Sequence, residues 1–402
     1  MKNIDVKNVW MALCGCLIVL SACSDSGNVP EEEMEEQTLS FHVQALDKDE
    51  VSIGRTVLPG RNPIQHVTYV QLYIFDGTEN DAVCVASENV FWQHWRGAND
   101  GISSRDQKYS PLYKLTDWDK KYTFLAIGLD VTRNSENIET MDNSAATYNL
   151  PQYVEVGATT LGDAIAKLAS GKTKEDIFKS ELFAGFKVLT RADLATTPRI
   201  DLYRRVAGVM GYFKNVPAQV GGKTVAKLQV RLYTKQNTQV PLKKIENGSV
   251  FSDYITSPLI TDELGDVLVE IPVEDYVPGE TLSKGSYVLP AVSAKGGETT
   301  MILVLADAAG NELTRKKIIC VSTEGPFVGK MVSRGETDEG TGIIGGKDNE
   351  EVEVDEAAYH YHIIANHFYG IGSEETPIDL SNTSYVVVTI NPNWDENHQM
   401  GL

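Results

Sequence analysis

Short runs of β-branched and aromatic residues, bounded by turn residues, recur along most of this 402-residue chain. In the run at 227–235, Leu228, Val230 and Leu232 alternate with polar residues. This period of two places the apolar side chains on one face of a strand and leaves the other face to solvent. Many short strands separated by frequent turns predict an all-β fold of packed sheets. The other runs lie at 66–77, 121–129, 285–292, 299–311 and 384–392.

Helical periodicity is clear in one place only, residues 160–172. Leu161, Ile165 and Leu168 would share one face of a helix there, and Gly171 would end it. The sequence therefore predicts one short helix among the strands.

The first 22 residues have the order of a bacterial export signal. Lys2 and Lys7 precede an uncharged segment, 9–22, which is shorter than the roughly 20 residues that a membrane span needs. The letters LSAC that end at Cys23 resemble a lipobox, in which the cysteine receives a diacylglycerol and, after cleavage, an acylated amine. We expect residues 1–22 to be a lipoprotein signal peptide and acyl chains on Cys23 to anchor the protein in the outer membrane. The alternative is an ordinary secretory peptide with a chance cysteine.

An acidic segment follows the candidate lipidation site. Residues 23–37 contain no basic residue, and such a composition stays solvated and flexible. We therefore expect a tether between the lipid and the folded body. Its acidic residues are Asp25, Glu31, Glu32, Glu33, Glu35 and Glu36.

Charge and cysteine content restrict the class of protein. The formal net charge of −20 disfavours nucleic acid as a partner, because phosphates need Lys and Arg. Beyond residue 23 only Cys84 and Cys320 remain, and we expect two buried free thiols, with a disulfide as the alternative. The length predicts two domains after the leader.

No motif assembles into an active site, so we expect no enzyme activity, no cofactor and no metal. Glycine-rich matches at 340–345 and 171–173 lack the strand and helix that nucleotide sites need. The acidic run 76–82 has oxygen ligands but lacks calcium-loop spacing, and it is read as a hairpin turn. Three histidines cluster at the positions His360, His362 and His367, where a metal is the less favoured interpretation.

Two other functions stay open at this point. Trp92 and Trp95 could form a sugar-binding patch, which would make the chain a lipid-anchored glycan-binding surface protein. A hydrolase would need carboxylates from distant residues to meet in a cleft.

Several segments, in order, resemble the fimbrillin family, the lipoprotein subunits of type V pili. The matching segments are VTYVQLYIFDGTEND (67–81), KYTFLAIGL (121–129), RIDLYRRVAGVMGYF (199–213), GSYVLPA (285–291), IIANHFYGI (363–371) and the final strand with Trp394. The resemblance implies two transthyretin-like Greek-key β-sandwich domains, at 38–197 and 198–402. It also implies a structural subunit of a cell-surface fimbrium that supports adhesion, as stalk, anchor or tip, with an unidentified surface receptor.

The family resemblance further implies assembly by strand exchange. An Arg-specific protease cuts after the first strand of the precursor, and a strand from a neighbouring subunit fills the groove. Here the first strand would present Leu39, Phe41, Val43 and Ala45 on one face, and the cut would fall at Arg55 or Arg61. The candidate donor strand contains Tyr385, Val386, Val387, Val388 and Ile390.

Overall fold

The structure is a computed structural model, and residues Gln37–Leu402 form one compact unit. It describes residues 36–43, 67, 69–91, 106–129, 147–148, 154–178, 180–243, 265–274, 276–291, 299–320, 331–332, 353–354, 361–381, 383 and 386–391.

The first sheet comes from the amino-terminal half of the chain. The strands described there are β1 (Leu39–Val43), β2 (Tyr69–Phe75), β3 (Cys84–Phe91), β4 (Asp106–Tyr109), β5 (Tyr122–Leu129), β6 (Ile165–Lys167), β7 (Leu182–Leu189) and β8 (Arg199–Arg204). All but β6 join in the order β3-β2-β5-β7-β8-β1-β4. β1 runs parallel to β8, whereas the other neighbours are antiparallel.

The second sheet comes from the carboxyl-terminal half. The strands described there are β9 (Ala207–Lys214), β10 (Gln219–Val220), β11 (Lys223–Thr224), β12 (Lys227–Leu232), β13 (Gln239–Pro241), β14 (Val267–Pro272), β15 (Leu282–Val288), β16 (Met301–Ala306), β17 (Glu312–Cys320), β18 (Met331–Val332), β19 (Glu353–Val354), β20 (Phe368–Ile371), β21 (Ile378–Asp379) and β22 (Val386–Asn391). The sheet order is β14-β12-β16-β17-β22-β20-β9-β15, and β21 also pairs with β9. The remaining short strands pair as β10 with β11, β13 with β6, and β18 with β19.

Some of the described strands are buried on both faces, and β5 and β9 each separate two apolar clusters. In β5, Phe124 packs into a cluster inside the first sheet, and Leu125 packs into a cluster on its other face. In β9, Val209 lies in the core of the second sheet, whereas Met210 joins the same cluster as Leu125. The cluster that contains Leu125 and Met210 therefore draws residues from both halves of the chain.

The predicted fold class is confirmed. The described chain is nearly all β and is built from packed multistranded sheets, in which strands distant in sequence are neighbours, as in Greek-key connections. The predicted strand runs contain β2, β5, β12, β16 and β22, and the run at 285–292 overlaps the end of β15.

The predicted helix at 160–172 is wrong. Leu161–Asp163 form a single 3-10 turn, and the next residues form β6, which pairs with β13 and buries Ala166 beside Val240. Pairing with a strand from the other half of the chain therefore outweighs local helical periodicity. The α-helices described are two four-residue segments, α1 (Lys174–Ile177) and α2 (Arg191–Leu194).

The segment 199–213, which carries part of the family resemblance, is two strands in two sheets. β8 belongs to the first sheet and β9 to the second, with Arg205 and Val206 between them. The change of sheet therefore comes after Arg204. The domain boundary at 197 stays a prediction.

The polar face of β12 is less exposed than its alternation indicates. Gln229 is buried and donates to a carboxylate oxygen of Glu270, with an Nε2–Oε2 distance of 2.5 Å. The Arg231 Nε donates to Gln229 Oε1 at 2.9 Å. Cross-strand hydrogen bonds thus replace part of the solvent that we expected on this face.

Both described cysteines are free and buried, as the sequence predicts. Burial raises the pKa of the Cys84 thiol to about 11 and that of Cys320 to about 12, because the thiolate would lose its solvation. At pH 8 only about one Cys84 in a thousand would be a thiolate, which is the reactive form.

We therefore expect both thiols to resist alkylation by iodoacetamide at pH 8 in the native protein and to react fully in guanidinium. Peptide mapping by mass spectrometry reads each cysteine separately. Native labelling of Cys84 at a rate close to the denatured rate would contradict its burial. A peptide that links Cys84 to Cys320 would restore the disulfide alternative.

Candidate strand-exchange site

β1 is bonded to a strand on each side. On one side Phe41 pairs with Gln107 in β4, and on the other it pairs with Ile200 in β8. The sheet therefore ends at β4, not at β1. Loss of β1 would leave a gap flanked by two unpaired strand edges, each with free N–H and C=O groups.

The inward side chains of β1 fill the core of the first sheet. Leu39 and Phe41 have no exposed surface, and Val43 is almost completely buried. The ring of Phe41 lies 6.4 Å from the ring of Tyr109, centroid to centroid. The predicted alternation is thus present at all three described positions, and the three side chains pack into one apolar cluster. Departure of the strand would leave an apolar slot in that cluster.

The outward side of β1 carries a polar contact. His42 Nδ1 lies 2.8 Å from Asp106 Oδ1, and the Asp106 carboxylate is mostly exposed. An exposed pair of this kind contributes at most about 1 kcal/mol. The strand is therefore held chiefly by its apolar face and its backbone.

The start of β1 is attached to the segment between α2 and β8. Thr38 N donates to Leu194 O at 3.0 Å, and Ser40 N donates to Pro198 O at 2.9 Å. The hydroxyls of Thr38 and Thr197 are 2.6 Å apart. Thr197 has a φ of 51°, a strained conformation for a β-branched residue, and its hydroxyl contact with Thr38 stabilises it.

Glu88 in β3 joins the two ends of the sheet. It is buried and accepts from Tyr109 OH at 2.9 Å, Leu112 N at 2.9 Å and Tyr113 N at 2.7 Å. Burial, followed by the Glu88 carboxylate, raises the pKa of Tyr109 well above its usual range. β4 therefore keeps a side-chain attachment to β3 that does not depend on β1.

Sequence reasoning missed Gln37 and Glu88. Gln37, assigned to the flexible tether, belongs to the folded body: its side chain is buried and bonds to both backbone groups of Leu115. The sequence did contain a sign of this: Gln37 is two residues before Leu39, and side chains two residues apart lie on the same face of a strand.

The candidate donor segment lies in the middle of the second sheet. β22 is parallel to β17 and antiparallel to β20, and Val386 and Val388 are fully buried. Val387 and Ile390 are half-buried. Release of this strand would open the core of the second sheet. Its release would therefore cost more free energy than release of a strand next to a sheet edge.

Several predicted site residues lie outside the described residues. They are Cys23, Ala45, Arg55, Arg61, Trp92, Trp95, His360 and Tyr385. The side chain of His367 is buried, with Nδ1 2.9 Å from Ala365 O, and burial lowers its pKa and that of His362. Among the described residues no group of His, Cys, Asp or Glu could hold a metal ion, and no helix is long and apolar enough to cross a membrane.

A cleft of ≈ 820 Å³ bears on the hydrolase alternative. Its lining includes the carboxylates Glu274 and Asp307 among apolar residues such as Val216 and Val273. Asp307 accepts from the side chain and backbone of Asn311, each at 2.9 Å, and these bonds lower its pKa. Asp307 is thus an ionised turn residue, unsuited to act as a general acid.

No protein-family model matches the chain, and no curated protein matches it. Solved structures do match it. The solved structures that it matches include fimbrial and adhesion proteins and a candidate polysaccharide-binding protein.

Three of these structures come from two organisms. A candidate cell adhesion protein from Parabacteroides distasonis has 10% identity and a TM-score of 0.40, over 89% of this chain and 97% of that one. The fimbrial anchor protein Mfa2 from Porphyromonas gingivalis has 13% identity and a TM-score of 0.37, over 88% and 97%. A fimbrial assembly protein from Parabacteroides distasonis has 12% identity and a TM-score of 0.36, over 88% and 98%. At these values the likeness itself carries no argument about what this chain does.

Proposed function

We propose that the chain is a structural subunit of a cell-surface pilus, exported as an outer-membrane lipoprotein through Cys23 and assembled by strand exchange at β1. Its role is polymerisation and adhesion, without chemistry of its own. The observation that carries the proposal is the slot under β1. A five-residue strand covers it with three buried apolar side chains, between two strands that could accept a replacement.

The free energy that holds β1 in the sheet is large enough to keep the strand in place and small enough for another strand to replace it. Burial of Leu39, Phe41 and Val43 contributes roughly 5 to 9 kcal/mol at about 1.5–3 kcal/mol each. Ordering five backbone residues costs roughly 5 to 10 kcal/mol, and ladder hydrogen bonds return about 1 kcal/mol each. The net free energy that holds β1 in the sheet is then a few kcal/mol. A longer strand with similar side chains would therefore displace β1 once the chain is cut.

The cut belongs between β1 and β2, at Arg55 or Arg61. We propose that such a cut turns the intramolecular strand into a separate ligand, which loses the high effective concentration of a linked segment. Exchange then becomes a competition between two strands for one slot.

The test treats the full purified chain with an Arg-specific protease and adds a fluorescent peptide with the sequence of residues 37–46. We expect the cut chain to take up the peptide, which then co-elutes with it in size-exclusion chromatography. The uncut chain and the Arg55→Ala/Arg61→Ala double variant should not take it up. A cut chain that takes up no peptide would sink the proposal.

A further inference from the structure

One side chain of the exchangeable segment binds both backbone groups of a distant loop residue. Gln37 Nε2 donates to Leu115 O at 3.0 Å, and Leu115 N donates to Gln37 Oε1 at 2.9 Å. Gln37 is 7% exposed and Leu115 is 1% exposed. Both hydrogen bonds therefore lie away from water.

A carboxamide is well suited to this pair of bonds. It carries a donor and an acceptor on one planar group, as a peptide unit does, whereas a carboxylate only accepts and an ammonium only donates. The Gln37 amide therefore makes the two hydrogen bonds that the backbone of a neighbouring strand would otherwise make with Leu115. When the segment leaves, the N–H and C=O of Leu115 lose their partners in a buried place, which is costly.

The same contact fixes where an incoming strand must start. Gln37 lies two residues before Leu39 and therefore on the inward face that also carries Phe41 and Val43. A strand shifted by one residue would turn its apolar side chains outward, and a shift by two would leave Leu115 without an amide. The amide thus sets the register as well as the affinity.

We propose, building on the proposed function, that the slot recognises a partner strand through this amide. The partner is a subunit whose donor strand has the pattern Gln-x-apolar-x-aromatic-x-apolar. The carboxyl-terminal strand of a second copy does not match, because Ser384 stands two residues before Val386. The occupant is therefore a strand of another polypeptide with glutamine in the first inward place.

The test measures peptide affinity for the cut full chain by fluorescence anisotropy. The reference peptide has the sequence of residues 37–46, and three variants carry Gln37→Ala, Gln37→Glu or Gln37→Asn. We expect Ala and Glu to weaken binding about 10- to 100-fold, and Asn to weaken it less than Ala. The matched control, Ser40→Ala on the outward face, should bind within about twofold of the reference.

Each outcome separates the two proposals. Equal affinity of the reference and the Gln37→Ala peptide would overturn amide recognition and leave strand exchange standing. Failure of every peptide, the reference included, would overturn strand exchange and amide recognition together. Faster hydrogen exchange at the Leu115 amide in the intact Gln37→Ala chain supports the contact without any cut, and unchanged exchange there counts against it.

Discussion

Glu181→Ala will lower the free energy of unfolding by about 3–5 kcal/mol, because it removes a buried carboxylate that pairs with the buried charge of Arg204. Arg204 Nε lies 2.6 Å from Glu181 Oε1, and both side chains are only 4% exposed. The guanidinium also lies 5.1 Å from the ring centre of Phe183. Because Arg204 ends β8, the loss should loosen the strand that flanks β1.

Two controls isolate the effect of burial in urea unfolding experiments. Glu312→Ala removes the partner of Arg315 in an exposed pair with an Nε–Oε1 distance of 2.6 Å, and it should cost at most about 1 kcal/mol. The double variant Glu181→Leu/Arg204→Met should recover most of the loss, because it removes both buried charges. A cost for Glu181→Ala as small as that of Glu312→Ala would show that the ion pair is not what holds this junction.

Runs of β-branched and aromatic residues predicted β2 and β5, and alternation predicted β12 and the inward face of β1. Alternation works where one face of a strand is buried, because that burial has a period of two. Helical periodicity failed at 160–172, because β6 is specified by its partner β13, more than seventy residues away, and not by its own pattern. Local pattern cannot contain information that lies in a distant strand.

The candidate site was predictable only where its residues are apolar. Leu39, Phe41 and Val43 are visible in the alternation, whereas Gln37 and Glu88 act through hydrogen bonds to Leu115, Leu112 and Tyr113 that depend on how the sheet closes. A buried glutamine looks like any surface glutamine in a sequence. Its function appears only when the loop that it binds is in place.

The first and last strands of the described chain differ in the way that the proposed strand exchange requires. β1 lies next to the four-residue end strand β4, which keeps its own attachment to β3 through Glu88. β22 lies between β17 and β20 in the middle of the second sheet. Removal of β1 opens one slot in a sheet that retains its other contacts, whereas removal of β22 would divide a sheet. We therefore expect an incoming strand to replace β1, between β4 and β8, and not β22.

Phe41→Ala will lower the free energy of unfolding of the intact chain by about 3–5 kcal/mol, since it empties a fully buried aromatic site. Urea denaturation followed by circular dichroism measures the change. In the cut chain the same substitution should speed release of the strand about 100-fold or more, because a loss of that size appears mainly in the dissociation rate. Stopped-flow displacement of the strand by a labelled peptide of residues 37–46 measures that rate.

Ser40→Ala serves as the matched control for Phe41→Ala, because Ser40 lies on the outward face of the same strand. It should change stability by at most about 0.5 kcal/mol and leave the release rate unaltered. A Phe41→Ala chain that loses stability but releases its strand at the unmodified rate would separate core packing from exchange. In that case the aromatic ring supports the sheet without governing exchange of the strand, and the slot would have to be opened by another step.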